Sequence, residues 1–319
     1  MRNKLVLVLT SLLPALAGAQ VSDPVVIMGA PLADTAPVVQ RQSRLEFAPP
    51  QATGPAEELD LVAAAAVVID QEDGSLLYAK NTQAVMPIAS ITKLMTAMVV
   101  LDAGLPLDDV ITITSQDVDR LKGTSSRLRP GLRLPRREML RLALMSSENR
   151  AASALSRHYP GGSRGFIAAM NQKARSLGMH DTHFVDATGL NPHNVSTALD
   201  LARMVNASYS YSLIRDFTTT ESIRLAVHDR RRPRAMAFQN SNALVRSGTW
   251  DIGLSKTGYI SEAGRCLVMQ ARIAAKPVII VLLDSLGKVT RIADANRIKE
   301  WMETLDMSPA ASSPRPRLM

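Results

Sequence analysis

The sequence predicts an α+β protein whose antiparallel sheet and helices are segregated from each other. Three observations carry this. An early pair of strand-like runs stands alone near residue 70, a long middle section has the apolar spacing of helices, and most other strand-like runs come after residue 220. The chain has 319 residues, 46% hydrophobic and 21% charged, the balance of an ordinary globular protein. That length suits one large or two modest domains.

The first 19 residues stand apart. Arg2 and Lys4 precede an apolar run over 5–16, and Ala17-Gly18-Ala19 supplies a small-residue cleavage pattern. The run is too short to span a bilayer comfortably, so a cleaved secretory signal is expected. Residues 20–58 are Pro-rich and lack sustained periodicity, which predicts a flexible linker. The folded domain is expected over 59–306 and a polar, Pro-rich, disordered tail over 307–319. That tail has no apolar face to lie in a membrane, so membrane association is expected to be loose at most.

Within the domain, an apolar run over 59–70 ends at Gln71-Glu72-Asp73-Gly74, and residues 75–80 follow as its hairpin partner. Pro87 punctuates the chain. A helix is then expected from Ser90, with Ile91, Leu94, Met95, Met98 and Val99 at helical spacing and a stop near Gly104. Residues 110–114 read as a short strand and 122–131 as loop. Helical pattern resumes at Glu138, breaks at Ser146-Ser147-Glu148-Asn149 and continues over 150–158. Residues 166–177 and 197–207 are two further helices, the second capped by Ser196 or Thr197. The last third reads as strands over 222–227, 235–238, 252–256, 266–273 and 278–283, then a helix over 296–305. There is no internal repeat.

Chemistry gathers at three places. Ser90 and Lys93 are three residues apart at a helix start, so they share a face. A serine hydroxyl is a weak nucleophile, and a neutral amine within hydrogen-bond reach can take its proton. Burial among Met and Leu, together with a second cation, would depress the pKa of Lys93. Ser-x-x-Lys recurs at Ser285-Leu286-Gly287-Lys288, where it reads as a solvated turn after a strand with no strong apolar helix behind it. Ser147-Glu148-Asn149 sits at a helix break, where its side chains can face a cleft. Lys256-Thr257-Gly258 ends a strand: a cation and a hydroxyl to hold a carboxylate, with a glycine for close backbone approach.

Other signals read more plainly. Gly161-Gly162-Ser163-Arg164-Gly165 matches a nucleophile elbow but lacks the strand that motif needs, so Ser163 is expected to cap a helix. His180 and His183 have no clear third ligand, and no metal site is predicted. The lone Cys266 lies in an apolar run and reads as a small buried hydrophobe. The basic balance, formally +8 and falling to +6 once the leader is removed, suits anionic surroundings. Much of it lies in two arginine clusters, 127–141 and 230–234; few aromatics interleave with them, so no nucleic-acid partner is expected.

In their order and context, Ser90-x-x-Lys93, Ser147-x-Asn149 and Lys256-Thr257-Gly258 resemble the active-site-serine penicillin-recognising enzymes. Residues 86–101, 121–126, 140–156 and 194–201 resemble the low-molecular-mass D-alanyl-D-alanine peptidases, in particular the penicillin-binding protein 7 group of endopeptidases. The likeness covers about residues 60–305. It implies a β-lactamase/transpeptidase-like fold with a helical subdomain and no cofactor. It also implies a periplasmic enzyme acting on peptidoglycan cross-links, with β-lactams as covalent inhibitors. By this resemblance Ser90 is the nucleophile and Lys93 its proton acceptor. Ser147 and Asn149 shuttle the proton and position the substrate amide, and Lys256 and Thr257 bind the substrate carboxylate. Backbone N–H groups of Ser90 and Tyr259, beside Gly258, form the oxyanion hole. The chain departs from class A β-lactamases in lacking a downstream Glu-x-x-Leu-Asn, so rapid antibiotic hydrolysis is not expected. A carboxypeptidase of the same family is the alternative within the class. A non-catalytic wall-binding protein is the alternative outside it, disfavoured by the intact Ser90, Lys93, Asn149 and Lys256.

Overall fold

The computed structural model describes residues 59–229 and 232–307; the expected leader and linker over 1–58, and the tail from 308, lie outside the described residues. The early hairpin is β1 (Ala65–Asp70) and β2 (Leu76–Lys80). After the two-residue β3 (Met86–Pro87), Ser90 falls in a 3-10 turn, Ala89–Ile91, that leads into α1 (Thr92–Asp102). The sequence places Ser90 on the helix itself; instead Ala89 has φ +47°, which no α-helix accommodates, and the helix proper starts two residues after the serine. β4 (Val110–Thr112) pairs antiparallel with β5 (Arg133–Pro135), and residues 122–131 form the expected loop between them.

Three helices follow: α2 (Arg136–Met145), α3 (Asn149–Arg157) and α4 (Gly162–Ser176). The break between α2 and α3 is where the sequence puts it. Ser163, expected as a cap, lies inside α4, because Gly161 at φ +80° takes the capping position. β6 (Val195–Ser196) pairs with β3 and leads into α5 (Ala198–Tyr209), capped by the Thr197 hydroxyl on the Asp200 N–H. α6 (Ser212–Thr219) is too polar and short to stand out in the sequence, although its buried Ile214 and Phe217 keep helical spacing. β7 (Ser222–Asp229) and β8 (Arg232–Gln239) form a separate ribbon. The short α7 (Ala243–Ser247) precedes β9 (Asp251–Ile260), β10 (Gly264–Ile273) and β11 (Lys276–Ser285), and α8 (Thr290–Met307) closes the fold.

The main sheet has five antiparallel strands in the order β2-β1-β11-β10-β9. Every residue of β1 is buried because both faces of the sheet are covered. Ala65, Val67 and Ile69 face one core with the helical region, while Ala66 and Val68 face a second core with Ala295, Ile298 and Met302 of α8. That double burial explains the uninterrupted apolar run, where a one-sided strand would alternate. α1 is buried on all sides from Thr92 to Val100, so it is the central helix and Lys93 is carried into the interior. β9 is a sheet edge and runs beside the turn that holds Ser90.

Two further readings are corrected. Lys256-Thr257-Gly258 lies inside β9, since Tyr259 and Ile260 continue the pairing to Arg265 and Gly264. Ser285 is not solvated: it is the buried last residue of β11, although Leu286 beyond it is 72% exposed. A helix does follow it, α8 beginning at Thr290, six residues before the apolar pattern shows. Cys266 is fully buried as expected, and burial pushes its thiol up to about 11, which leaves it protonated and inert.

Candidate active site

The Lys93 amine is the centre of the site. It lies 2.8 Å from Ser90 Oγ, 2.8 Å from Asn149 Oδ1 and 2.6 Å from the Thr188 carbonyl. The last two can only accept hydrogen bonds. The Asn149 orientation is fixed from its other end, where Nδ2 donates to Thr124 Oγ1 at 3.1 Å. A neutral amine has two N–H donors and one lone pair. With both donors spent on Asn149 and Thr188, the lone pair is left for the Ser90 hydroxyl proton. Burial drives Lys93 toward that neutral state, lowering its pKa to about 7, against an opposing pull from the Asp186 and Glu148 carboxylates. The second cation expected to share in this shift, which by position would be Lys256, does not contribute; desolvation carries it.

A second amine faces the same space. Lys256, buried on β9, lies 3.0 Å from Ser147 Oγ and 2.9 Å from the Thr257 carbonyl. Its pKa is well below the usual lysine value because it is desolvated and because Lys93 and Arg291 are nearby cations. Thr257 Oγ1 donates to Ser241 Oγ at 2.7 Å. Ser147 itself has φ +60°, an uncommon conformation for a serine, which puts its hydroxyl within reach of Lys256. The structure thus brings Ser90, Lys93, Ser147, Asn149, Lys256, Thr257 and Gly258 to one cleft from three separated segments. The Tyr259 side chain points out, 57% exposed with the Arg265 guanidinium 4.6 Å from its ring centre. A part for Tyr259 in the cleft therefore falls to its backbone.

Several contributors are absent from the sequence reading. The segment 185–194 wraps the far side of the Ser90 turn. Asn194 accepts from the Val185 and Asp186 N–H groups and donates to Thr92 Oγ1 at 3.0 Å; that hydroxyl donates to the Ala89 carbonyl. The Asp186 carboxylate accepts from the N–H groups of Thr188, Gly189 and Asn191, which shapes the loop that presents the Thr188 carbonyl to Lys93. Asp186-Ala187-Thr188-Gly189 does carry a turn signal, an acidic side chain with a glycine three residues on. On the other side Ser126 Oγ donates to the buried Glu148 carboxylate at 2.6 Å, whose pKa burial raises.

Two glycines are required by this packing. A Cβ on Gly189 would stand 1.9 Å from the Ala89 carbonyl oxygen, and its φ is +80°. A Cβ on Gly258 would stand 2.9 Å from the Ile88 carbonyl oxygen and 3.3 Å from the Ser90 nitrogen. Gly189→Ala is therefore expected to push the Ser90 turn off its position. A misplacement of about 1 Å costs on the order of 10²-fold in rate, and the strained backbone destabilises the fold by about 1–3 kcal/mol. Stopped-flow acylation and thermal melts measure both; an alanine variant acylating within threefold of the native rate would refute the packing argument.

A serine hydroxyl 2.8 Å from a buried lysine amine, at the seam between a helical region and an antiparallel sheet, is the arrangement of the active-site-serine hydrolases of the penicillin-recognising class. Residues 51–287 match the D-alanyl-D-alanine carboxypeptidase family, peptidase family S11, and the chain belongs to that family. It is 49% identical to a D-alanyl-D-alanine endopeptidase of Pseudomonas aeruginosa over 83% of this chain and 85% of that one. To the D-alanyl-D-alanine endopeptidase of Escherichia coli it is 45% identical over 81% and 83%. Among solved structures, the Streptomyces K15 DD-transpeptidase superposes with a TM-score of 0.71 at 30% identity, covering 76% of this chain and 97% of that one. Ser163, the competing nucleophile, lies within α4 with its Oγ 3.2 Å from Ser156 Oγ; among the described residues no group of three or more His, Cys, Asp or Glu could hold a metal ion.

Proposed function

We propose that this protein is a D-alanyl-D-alanine endopeptidase that hydrolyses peptide cross-links of bacterial peptidoglycan through an acyl-enzyme on Ser90. The observation that carries the reading is the Lys93 amine, buried, near-neutral and aimed by two fixed acceptors at the Ser90 hydroxyl. In this mechanism Lys93 takes the hydroxyl proton as Ser90 Oγ bonds to the D-alanyl carbonyl carbon. Backbone N–H groups of Ser90 and Tyr259 hold the developing oxyanion. Ser147 passes the proton to the departing amine, and the C–N bond breaks. Water then attacks the ester, Lys93 again accepts a proton, and Ser90 is restored. Asn149 aligns the substrate amide and also fixes Lys93.

Lys256 and Thr257 hold the carboxylate beside the scissile nitrogen. An arriving carboxylate raises the depressed Lys256 pKa, so substrate binding itself favours the charged ammonium that pairs with it. Penicillins, which present a carboxylate and a strained amide in the same relation, act as covalent inhibitors on this reading. The enzyme works in the periplasm, delivered by the signal expected at its start. No helix among the described residues is long and apolar enough to cross a membrane.

Carboxypeptidase and endopeptidase differ only in the leaving group, and both leaving groups carry a carboxylate next to the scissile nitrogen. The endopeptidase choice is supported by the relatives of 49% and 45% identity, both of that name. A cleft of about 580 Å³ beside Thr188, lined by Gln116, Asp119, Leu121, Leu190 and Asn191, offers room for a second stem peptide. The test gives purified enzyme cross-linked muropeptide dimers and, separately, pentapeptide monomers. Monomers released from dimers should dominate. Efficient D-Ala release with dimers left intact would make it a carboxypeptidase.

A further inference from the structure

The excess of positive over negative charge is concentrated in two stretches of the chain. Residues 127–141 together with β7 and β8 hold nine arginines and two acidic residues, a net +7 out of the +8 of the whole chain. These stretches are nearly a hundred residues apart in sequence, and the fold puts them side by side. The Arg127 guanidinium lies 4.3 Å from the centre of the Phe238 ring and donates to the Ala237 carbonyl, tying the loop to β8. β5, which begins with Arg133, packs against β7. Arg136 is held by Asp109 and Arg141 by Glu138. Arg129, Arg133 and Arg224 are exposed and Arg137 partly so, with no carboxylate in ion-pair range among the described residues.

This basic face begins at the rim of the cleft. Thr124 and Ser126, which touch Asn149 and Glu148, immediately precede Arg127. Ser241, which accepts from Thr257, comes two residues after β8. A polymer entering the cleft would continue onto the arginines. Among the described residues of these stretches no large apolar side chain is exposed, as insertion into a lipid surface would need, and Phe238 is buried rather than free to stack on bases.

We infer that the face formed by the 127–137 loop and the β7–β8 ribbon binds the free carboxylates of the insoluble peptidoglycan network and holds the enzyme on polymeric substrate. The inference rests on the proposed peptidoglycan substrate and extends it from the scissile bond to the surrounding polymer. The variant Arg129→Gln/Arg133→Gln/Arg137→Gln/Arg224→Gln removes four surface charges and no group of the cleft. Its co-sedimentation with purified, protein-free sacculi at low ionic strength should fall about tenfold or more. Native protein should lose retention as salt rises to about 0.5 M, where the screening length is about 4 Å, and on sacculi whose carboxylates have been amidated. Cleavage of soluble muropeptide dimers should stay within twofold. Equal retention of the variant, undiminished retention on amidated sacculi, or stronger retention on vesicles of anionic phospholipid would overturn the inference. So would a matching loss of soluble-dimer cleavage, which would assign the arginines to the cleft itself. Arginine-dependent retention without any cleavage of soluble dimers by native protein would uphold this inference and overturn the endopeptidase reading.

Discussion

Ser90→Ala is expected to abolish covalent labelling by a fluorescent penicillin and to lower dimer turnover by about 10⁶-fold, the scale of nucleophile deletions in serine hydrolases. The change removes one oxygen from a residue in a buried turn, and the backbone geometry is set by Thr92, Asn194 and Gly189 rather than by the hydroxyl. The variant should therefore fold normally and still bind penicillin reversibly. Its thermal midpoint should match that of the native protein within a few degrees. Label that persists in the variant, or maps by peptide mass to Ser163 or Ser285, would remove Ser90 from the mechanism.

Removing Lys93 as a base should be nearly as severe. Lys93→Arg keeps a cation where a neutral amine is needed, and guanidinium does not deprotonate near neutral pH. General-base loss alone costs about 10²–10⁴-fold, and the longer side chain in a fully buried position adds misplacement. Lys93→Met, similar in volume and uncharged, separates chemistry from packing: it should fold at least as stably yet acylate no faster than the arginine variant. The native enzyme should show the same dependence in its pH profile. With a Lys93 pKa of about 7, the reactive neutral form is the minor species below that pH and the major one above it. Acylation should rise nearly tenfold per pH unit below about 7 and level off above, falling again where the Lys256 ammonium gives up its proton. A flat profile between pH 5 and 8, or an arginine variant within tenfold of native, would exclude Lys93 as the proton acceptor.

How much of this was legible in the sequence differs between fold and site. Strands at 252–256, 266–273 and 278–283 showed themselves because both their faces are buried, and the break at Ser147 showed because polar residues interrupt a helical pattern. What was hidden depends on long-range backbone packing. Ala89 at φ +47° and Gly189 pressed on its carbonyl have no local signature, so the turn holding Ser90 read as the first turn of a helix. Lys93, Asn149 and Lys256 were each visible as members of motifs. Thr188 was not, because it acts through a carbonyl that any residue possesses. Asp186 and Asn194 act on backbone N–H groups, and only the three-dimensional loop shows which ones. The two arginine clusters were apparent as composition, whereas the joining of 127–141 to the ribbon is a property of the fold alone.

The pairing of β1 with β11 bears on how the molecule is made. It joins Ala65–Asp70 to residues 278–283 across about 200 intervening residues, and such distant pairings form late and slowly. A chain still emerging from the ribosome already carries Ser90, Lys93, Ser147 and Lys256, but the sheet that sets β9 against the Ser90 turn lacks its central partner until β11 has been synthesised. Chains that lack β11 thus hold these side chains without the sheet that brings them to one cleft. The cleft takes shape only after β11 has joined the sheet.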